Sequence, residues 1–312
     1  MQKEIIGIIG GTGMEGALAD RMTDIKYYTV STPYGRPSDR IMVGKSGSRR
    51  VAFINRHGPG HKFGPSDIPY AANIYAMKKL GVHTIIATAA VGSLRQAIRP
   101  GDLVLVSQFI DRTSKRQNSF FAGIAAVHCE MAEPVCRRLS SVIVAAGGNL
   151  RIHDRATYVC IEGPAFSTRA ESLMHRKWGA DLVGMTAMPE AKLAREAQIC
   201  YTLVAMVSDY DCWRSQCRAD PPKGPLRGRS EASEVSPSAE PTADKHALLR
   251  EIIGNMKRAS ENCLTLIDSA LKSKNGLVCE ECGCRKSLEL AVLTDKKMIT
   301  AAERRKTAIL FE

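Results

Sequence analysis

The chain contains no apolar run of about 18 residues, so nothing in it reads as a membrane-spanning helix. It also lacks the basic start and extended apolar stretch of a secretory leader, because Met1-Gln2-Lys3-Glu4 leads straight into a strand-like Ile5 to Ile9. Without a leader, ten cysteines spread over 312 residues are expected as thiols in a reducing compartment rather than as a disulfide frame, and a cytoplasmic protein is the default. A complete zinc motif is missing too. Cys279-Glu-Glu-Cys282-Gly-Cys284 offers three thiols where a structural zinc site takes four ligands, and no second CxxC pair or nearby His supplies the fourth. Redox-sensitive thiols, or no role, are the expectation there, and no metal is assigned. Nor do the basic residues gather: the net charge is +12, but runs such as Arg304-Arg305-Lys306 are short. A nucleic-acid footprint needs one basic face or stripe, so no nucleic-acid partner is expected, and small anionic ligands remain an ordinary use for the surplus.

What is present is a succession of strands that end in small-residue or polar turns. Ile5 to Ile9 runs into Gly10, Gly11, Thr12 and Gly13, where amides can approach an anion closely. Gly11-Thr12-Gly13 with Gly16 fits a dinucleotide fingerprint in spacing, but no acidic residue closes a second strand at the required distance, since residues 26–40 read as turn. Anion binding is therefore favoured over a nicotinamide cofactor. Val51 to Ile54 leads to Arg56, whose planar fork suits phosphate oxygens, and to His57 as a further donor. Ser66 is expected to cap a helix through Tyr70 and Lys79, stopped by Gly81. Thr84 to Ala89 is a strand followed by a small-residue turn at 90–94. Three such junctions converge on one anion if the sheet gathers their carboxyl ends.

Further strands are expected at Asp102 to Val106, Ala156 to Ile161, Leu182 to Gly184 and Ile199 to Val207, with a helix from Met131 to Val144. Ser167 has the job of capping a helix through Trp178 open to it, and Phe166 is either core or a stacking platform. Ile199 to Val207 ends in Ser208-Asp209-Tyr210-Asp211, where extended backbone would turn both carboxylates to one face. Two close carboxylates do not both ionise cheaply, which suits a general acid; a helix cap in a solvated turn is the structural alternative. Alternating strands and helices predict an α/β fold: a single domain with a mixed, mainly parallel central sheet flanked by helices. Residues 214–245 hold five of the fourteen prolines and read as a flexible loop, followed by a long helix from His246 to Ser273.

These blocks resemble the trimeric purine nucleoside phosphorylases. The resemblance rests on IIGGTG at 8–13, TPYGRPSD at 32–39, NRHGPGH at 55–61, GSLRQAIRPGDLV at 92–104, EGPAFSTRAES at 162–172 and SDYDCW at 208–213, among others in the same order. The matching blocks span residues 8–213; with the closing helix included the expected domain is 1–273, and 274–312 falls outside the resemblance as an extension of unknown role. The resemblance implies phosphorolysis of 5′-methylthioadenosine to adenine and 5-methylthioribose 1-phosphate in purine and methionine salvage, with a broad adenosine or purine nucleoside phosphorylase as the alternative. Inorganic phosphate is then a co-substrate, and no cofactor is implied. Thr12, Arg56, His57, Ala89, Ala90 (through its amide) and Thr186 fall at phosphate-binding positions, and Ala89 removes a hydroxyl that the family often carries there. Met185 falls at a ribose-contacting position, Phe166 and Ser167 at the base, and His61 at the 5′-methylthio pocket. Asp209 falls where the family protonates or hydrogen-bonds N7, with Asp211 facing the 6-amino group. His128 falls where a neighbouring subunit completes the site, which implies a homotrimer. A nucleosidase using water would not need the phosphate loops.

Overall fold

The computed structural model describes residues 5–11, 14–214, 245–273, 276–278 and 282–312. The strands are β1 (Ile5–Gly10), β2 (Thr23–Tyr28), β3 (Ile41–Ser46), β4 (Arg49–Asn55), β5 (Val82–Ser93), β6 (Leu103–Asp111), β7 (Ile152–Cys160), β8 (Leu182–Gly184) and β9 (Cys200–Asp209). The helices are α1 (Met14–Ala19), α2 (Tyr70–Lys79), α3 (Arg137–Ala145), α4 (Arg169–Lys177), α5 (Glu190–Glu196), α6 (Lys245–Lys272) and α7 (Ala301–Thr307). The sheet runs β2-β3-β4-β1-β5-β8-β7-β6-β9, and β9 also pairs with β5. Five strands therefore close into a ring, with β1, β4, β3 and β2 extending from it as an open wing. Parallel pairings join β4, β1, β5 and β9 side by side, and β6, β7 and β8 likewise; antiparallel pairings join β2–β3, β3–β4, β5–β8 and β6–β9. The expected mixed, mainly parallel α/β sheet is what forms.

β5 and β9 are buried along almost their whole length, as continuous apolar runs covered on both faces should be. Ile74 of α2 and Leu193 of α5 join one core with Ile9, Ile85 and Leu203. Met14 of α1, Leu139 of α3 and Leu266 of α6 join the opposite core with Ile8, Ile86 and Val204. Among the described residues no helix is long and apolar enough to cross a membrane.

Several local expectations are corrected. The second half of β2, Lys26 to Tyr28, occupies residues read as turn; its side chains are mostly exposed, so no burial pattern betrays an edge strand. β5 does not turn at 90–94 but continues to Ser93 as it pairs with β8 and β9. Ser66 does not cap α2, whose N-cap is Pro69; the Ser66 hydroxyl donates to Glu162 instead. Ser167 does not cap α4 either, because Thr168 and Glu171 form a reciprocal capping box one residue later. The helix expected from Met131 is confined to Arg137–Ala145. The proline-rich segment, apart from Arg214 and Lys245, lies outside the described residues, as do Thr12 and Cys279.

The tail packs onto both cores, with Leu288, Ala291 and Leu310 on one side and Leu277 and Cys284 on the other. Gln198 donates to the Leu310 carbonyl at 3.0 Å, and Val127 bridges Val292. The fold also brings Cys282 and Cys284 against Cys136 and Cys200, four residues from three places in the chain.

Candidate active site

The parallel strands β4, β1, β5 and β9 deliver their carboxyl ends to one edge of the sheet, the usual place for a ligand in α/β proteins. β8 reaches that edge from the opposite direction. Its register, Ser93 opposite Leu182 and Gly92 opposite Val183, carries the chain on to Met185 and Thr186 beside Ala90. Arg56 and His57 follow β4, Ala89 and Ala90 come directly after Thr88, whose carbonyl Arg56 reaches, and Thr186 follows β8.

Arg56 follows β4, and its amide donates to the Gly10 carbonyl at 2.9 Å, which ties the glycine turn to this strand end. Its guanidinium is buried. Nε and Nη2 donate to the two oxygens of Glu190 at 2.7 and 2.8 Å, and Nη1 donates to the Thr88 carbonyl at 2.7 Å. Burial opposes the charge, but the Glu190 carboxylate more than offsets it and the guanidinium stays charged. Three of five N–H donors are committed, so the fork expected to meet phosphate is turned to Glu190, and one hydrogen on each Nη remains for a ligand. Tyr201 fixes Glu190 in turn, its hydroxyl donating at 2.9 Å. Neither Glu190 nor Tyr201 is visible as a site residue in the sequence: both sit inside apolar-looking elements, and only the topology makes them Arg56's neighbours.

His57 stands next to it. Its Nδ1 lies 2.9 Å from the Phe63 carbonyl, and its ring stacks on His61 with centroids 4.1 Å apart. Burial pushes its pKa down to about 4, with Arg56 and His61 contributing, so the ring is neutral near pH 7. A neutral ring that donates from Nδ1 offers Nε2 as an acceptor, which corrects the expected donor role: His57 can accept a hydrogen bond from a protonated phosphate oxygen. His61 is held beside it in a left-handed backbone conformation, φ 59°.

The other half of the pocket lies at the end of β9. Asp209 accepts from the Asp211 amide at 2.7 Å through Oδ1 and from the Ser208 hydroxyl at 2.5 Å through Oδ2. Asp211 is not extended; it turns with φ 48° into a short 3₁₀ helix, so its carboxyl is placed by the turn rather than by strand alternation. Gly92 faces this pair, and a Cβ there would stand 3.1 Å from both Asp209 Oδ1 and Asp211 Cβ. Burial raises the Asp211 pKa and the Asp209 charge adds to it, so the carboxyl that resists ionisation is Asp211.

Among the described residues, four buried polar atoms near Asp211 have no hydrogen-bond partner of good geometry, Asp211 Oδ2, Ser167 Oγ, Ser172 Oγ and His175 Nδ1, although the Ser172 hydroxyl is close enough to Asp211 to lower its pKa. Ser172 and His175 lie one turn apart on the buried face of α4 and were missed in the sequence. The signal that could have found them is their polarity on the inward face of an amphipathic helix. Phe166 is 84% exposed, which removes the core alternative for it. His128 is exposed as well, its amide donating to the Ala291 carbonyl of the tail at 2.9 Å.

Arg116, also unmarked in the sequence, ties the floor together. It is buried, and it donates to the carbonyls of Met185 and Glu162 at 2.7 Å each and to the Glu162 carboxylate at 3.0 Å. Against the effect of burial, donors from Ser66, Ser114, Lys115 and Arg116 pull the Glu162 pKa down to about 2.

The phosphorylase superfamily profile matches residues 5–272. The S-methyl-5′-thioadenosine phosphorylase of Geobacter sulfurreducens is 40% identical over 305 residues, covering 96% of this chain and 95% of the relative, so the similarity runs past the profile into the tail. A methylthioadenosine phosphorylase structure from an antarctic soil metagenomic library superposes with TM-score 0.82 at 36% identity, covering all of both chains. A variant of the Schistosoma mansoni adenosine/methylthioadenosine phosphorylase in complex with methylthioadenosine superposes with TM-score 0.71 at 31% identity, covering 86% of this chain and 91% of that one.

Proposed function

Because this chain belongs to the phosphorylase superfamily, we propose that it cleaves 5′-methylthioadenosine with inorganic phosphate, giving adenine and 5-methylthioribose 1-phosphate. The observation that carries this reading is that one edge of the sheet bears both kinds of group, Arg56 and His57 after β4 and Asp209 and Asp211 at the end of β9, the strands between them running parallel. Phosphate bound between the two remaining Arg56 hydrogens, the Ala90 amide and Thr186 is held for attack on the anomeric carbon. His57, neutral near pH 7, accepts a hydrogen bond from the phosphate and orients it, while phosphate attacks as the dianion that solution already supplies. The new C–O bond forms as the C–N bond to N9 breaks, and the electron pair passes to the purine. Asp209, protonated from solvent before the bond breaks, gives that proton to N7 as the purine leaves. Asp211 presents an acceptor oxygen to the 6-amino group and so selects adenine. Phe166 packs on the base, Ser167 meets its edge, Met185 lies against the ribose, and His61 lines the 5′ pocket.

A broader adenosine phosphorylase is the second reading, supported by the dual name of the Schistosoma mansoni relative. We also assign a homotrimer with sites near subunit interfaces, supported by the exposure of Phe166 and His128 in the single chain. A cytoplasmic location is in keeping with the many cysteines.

The test is adenine release from 5′-methylthioadenosine and from adenosine, each with and without phosphate. Phosphate-dependent release that favours the methylthio substrate is expected. Equal rates would establish the broader enzyme, and release independent of phosphate would replace both with a nucleosidase.

A further inference from the structure

Away from this pocket, Cys136, Cys200, Cys282 and Cys284 bring their sulfurs within 4.8 Å of one another; three of the residues are buried and Cys282 half-buried. Cys136 is the N-cap of α3, Cys200 opens β9, and the other two belong to the tail. We propose that these four thiolates bind a structural zinc ion that staples the tail to the core.

A tetrahedral zinc with Zn–S bonds of about 2.3 Å requires sulfurs about 3.8 Å apart, within the observed envelope. Four cysteines and no carboxylate or open position define a closed, soft-ligand site, structural rather than catalytic. The two ligands absent from the tail's own motif come from α3 and β9, which explains why sequence spacing could not complete the set. Cys136 is already pinned by its amide, which donates to the Tyr201 carbonyl at 2.8 Å. Its sulfur sits at the N-terminus of a nine-residue helix, whose dipole favours a thiolate.

Outer contacts fit the same reading. The buried Arg195 directs Nη1 at Cys284 Sγ, 3.8 Å away, and supplies positive charge beside a zinc-tetrathiolate dianion. Its other nitrogen donates to the Glu133 carbonyl, and Ser287 donates to the Arg195 carbonyl. Binding releases one proton from each thiol and changes no oxidation state. Two disulfides are the rival chemistry, and Cys200 and Cys282, with sulfurs 3.0 Å apart, are the pair they would join first, but disulfides would need an oxidant, and all four sulfurs share one envelope as a single ion requires. The staple would hold the segment that pairs with Val127 and His128, and it acts far from the aspartates because Cys200 and Asp209 are the two ends of β9.

Metal content of the untagged full chain, purified under reductant, tests this by elemental analysis and by zinc release on titration with a mercurial. About one zinc per chain is expected, and cobalt substitution should give the visible absorption and thiolate charge transfer of a tetrahedral sulfur site. The double variant Cys282→Ser, Cys284→Ser should lose zinc more than tenfold, lower Tm by about 5 °C or more, and keep kcat/KM within about threefold below its Tm. Metal-free protein with reactive thiols, thiols paired as disulfides by mass, iron with sulfide, or zinc retained by the double variant would each overturn the proposal. Should that variant not fold, the wild-type cobalt spectrum decides alone, and absence of thiolate charge transfer overturns it.

Discussion

The two sides of the pocket are built on opposite terms. On the anion side, Arg56, Glu190, Tyr201 and Thr88 are buried and satisfy one another. On the base side, Ser167, Ser172, His175 and Asp211 each keep a buried polar atom without a well-placed partner among the described residues, and Phe166 is exposed. The first side is therefore structure as well as site, and damage there should cost folding and activity together. The second side is completed by what binds, so changes there should separate the two.

The largest effect is expected from Glu190→Ala, which leaves the Arg56 charge buried without its partner. A loss of about 3–5 kcal/mol in stability is expected from chemical denaturation, with phosphate binding severely weakened. A mild effect on both would show that the anion side is less committed than its geometry says. Next comes Asp209→Asn, expected to lower kcat about 10²–10⁴-fold while Tm stays nearly constant. Unchanged kinetics would remove Asp209 from the chemistry.

Asp211→Asn sharpens the contrast further. Since burial raises this carboxyl's pKa, the folded chain favours its neutral form, and that contribution fades as pH rises through the shifted value. The variant should thus gain stability relative to wild type at neutral pH but not in acid, while discriminating less well between 6-amino and 6-oxo purines. Thermal melts at two pH values read the first effect and paired kinetics the second. The smallest effect belongs to Glu162, whose depressed pKa gives stability present above about 4.5 and lost as pH falls toward about 2. Glu162→Gln should flatten the acid limb of the stability curve across that window and barely alter it below. A parallel acid limb in both proteins would show that the carboxylate is not coupled to folding.

The strand ends were legible in the sequence because each combines a buried, β-branched run with a glycine or polar turn, as at Ile9-Gly10, Ile54-Asn55 and Val207-Ser208. The aspartates were legible for the same reason. What stayed hidden is what depends on distance across the chain. Arg56 and Glu190 are 134 residues apart, and nothing local to either announces the pair. Arg116 looks like an ordinary surface base until the loops at Glu162 and Met185 close around it. The caps went astray by a single residue at Ser167 because Thr168 has Glu171 at the better spacing. β2 escaped because an exposed edge strand need not alternate.

The backbone at Asp211 has a consequence of its own. At φ 48°, glycine, asparagine and aspartate are the residues most readily accommodated, so the easiest first steps open to mutation at this position are few. Of these, asparagine swaps an acceptor for a donor and glycine removes the reading group altogether. The turn therefore acts as a ratchet on substrate choice: a lineage carrying this loop can drift toward 6-oxo purines or toward indifference, while other routes must first rebuild the loop.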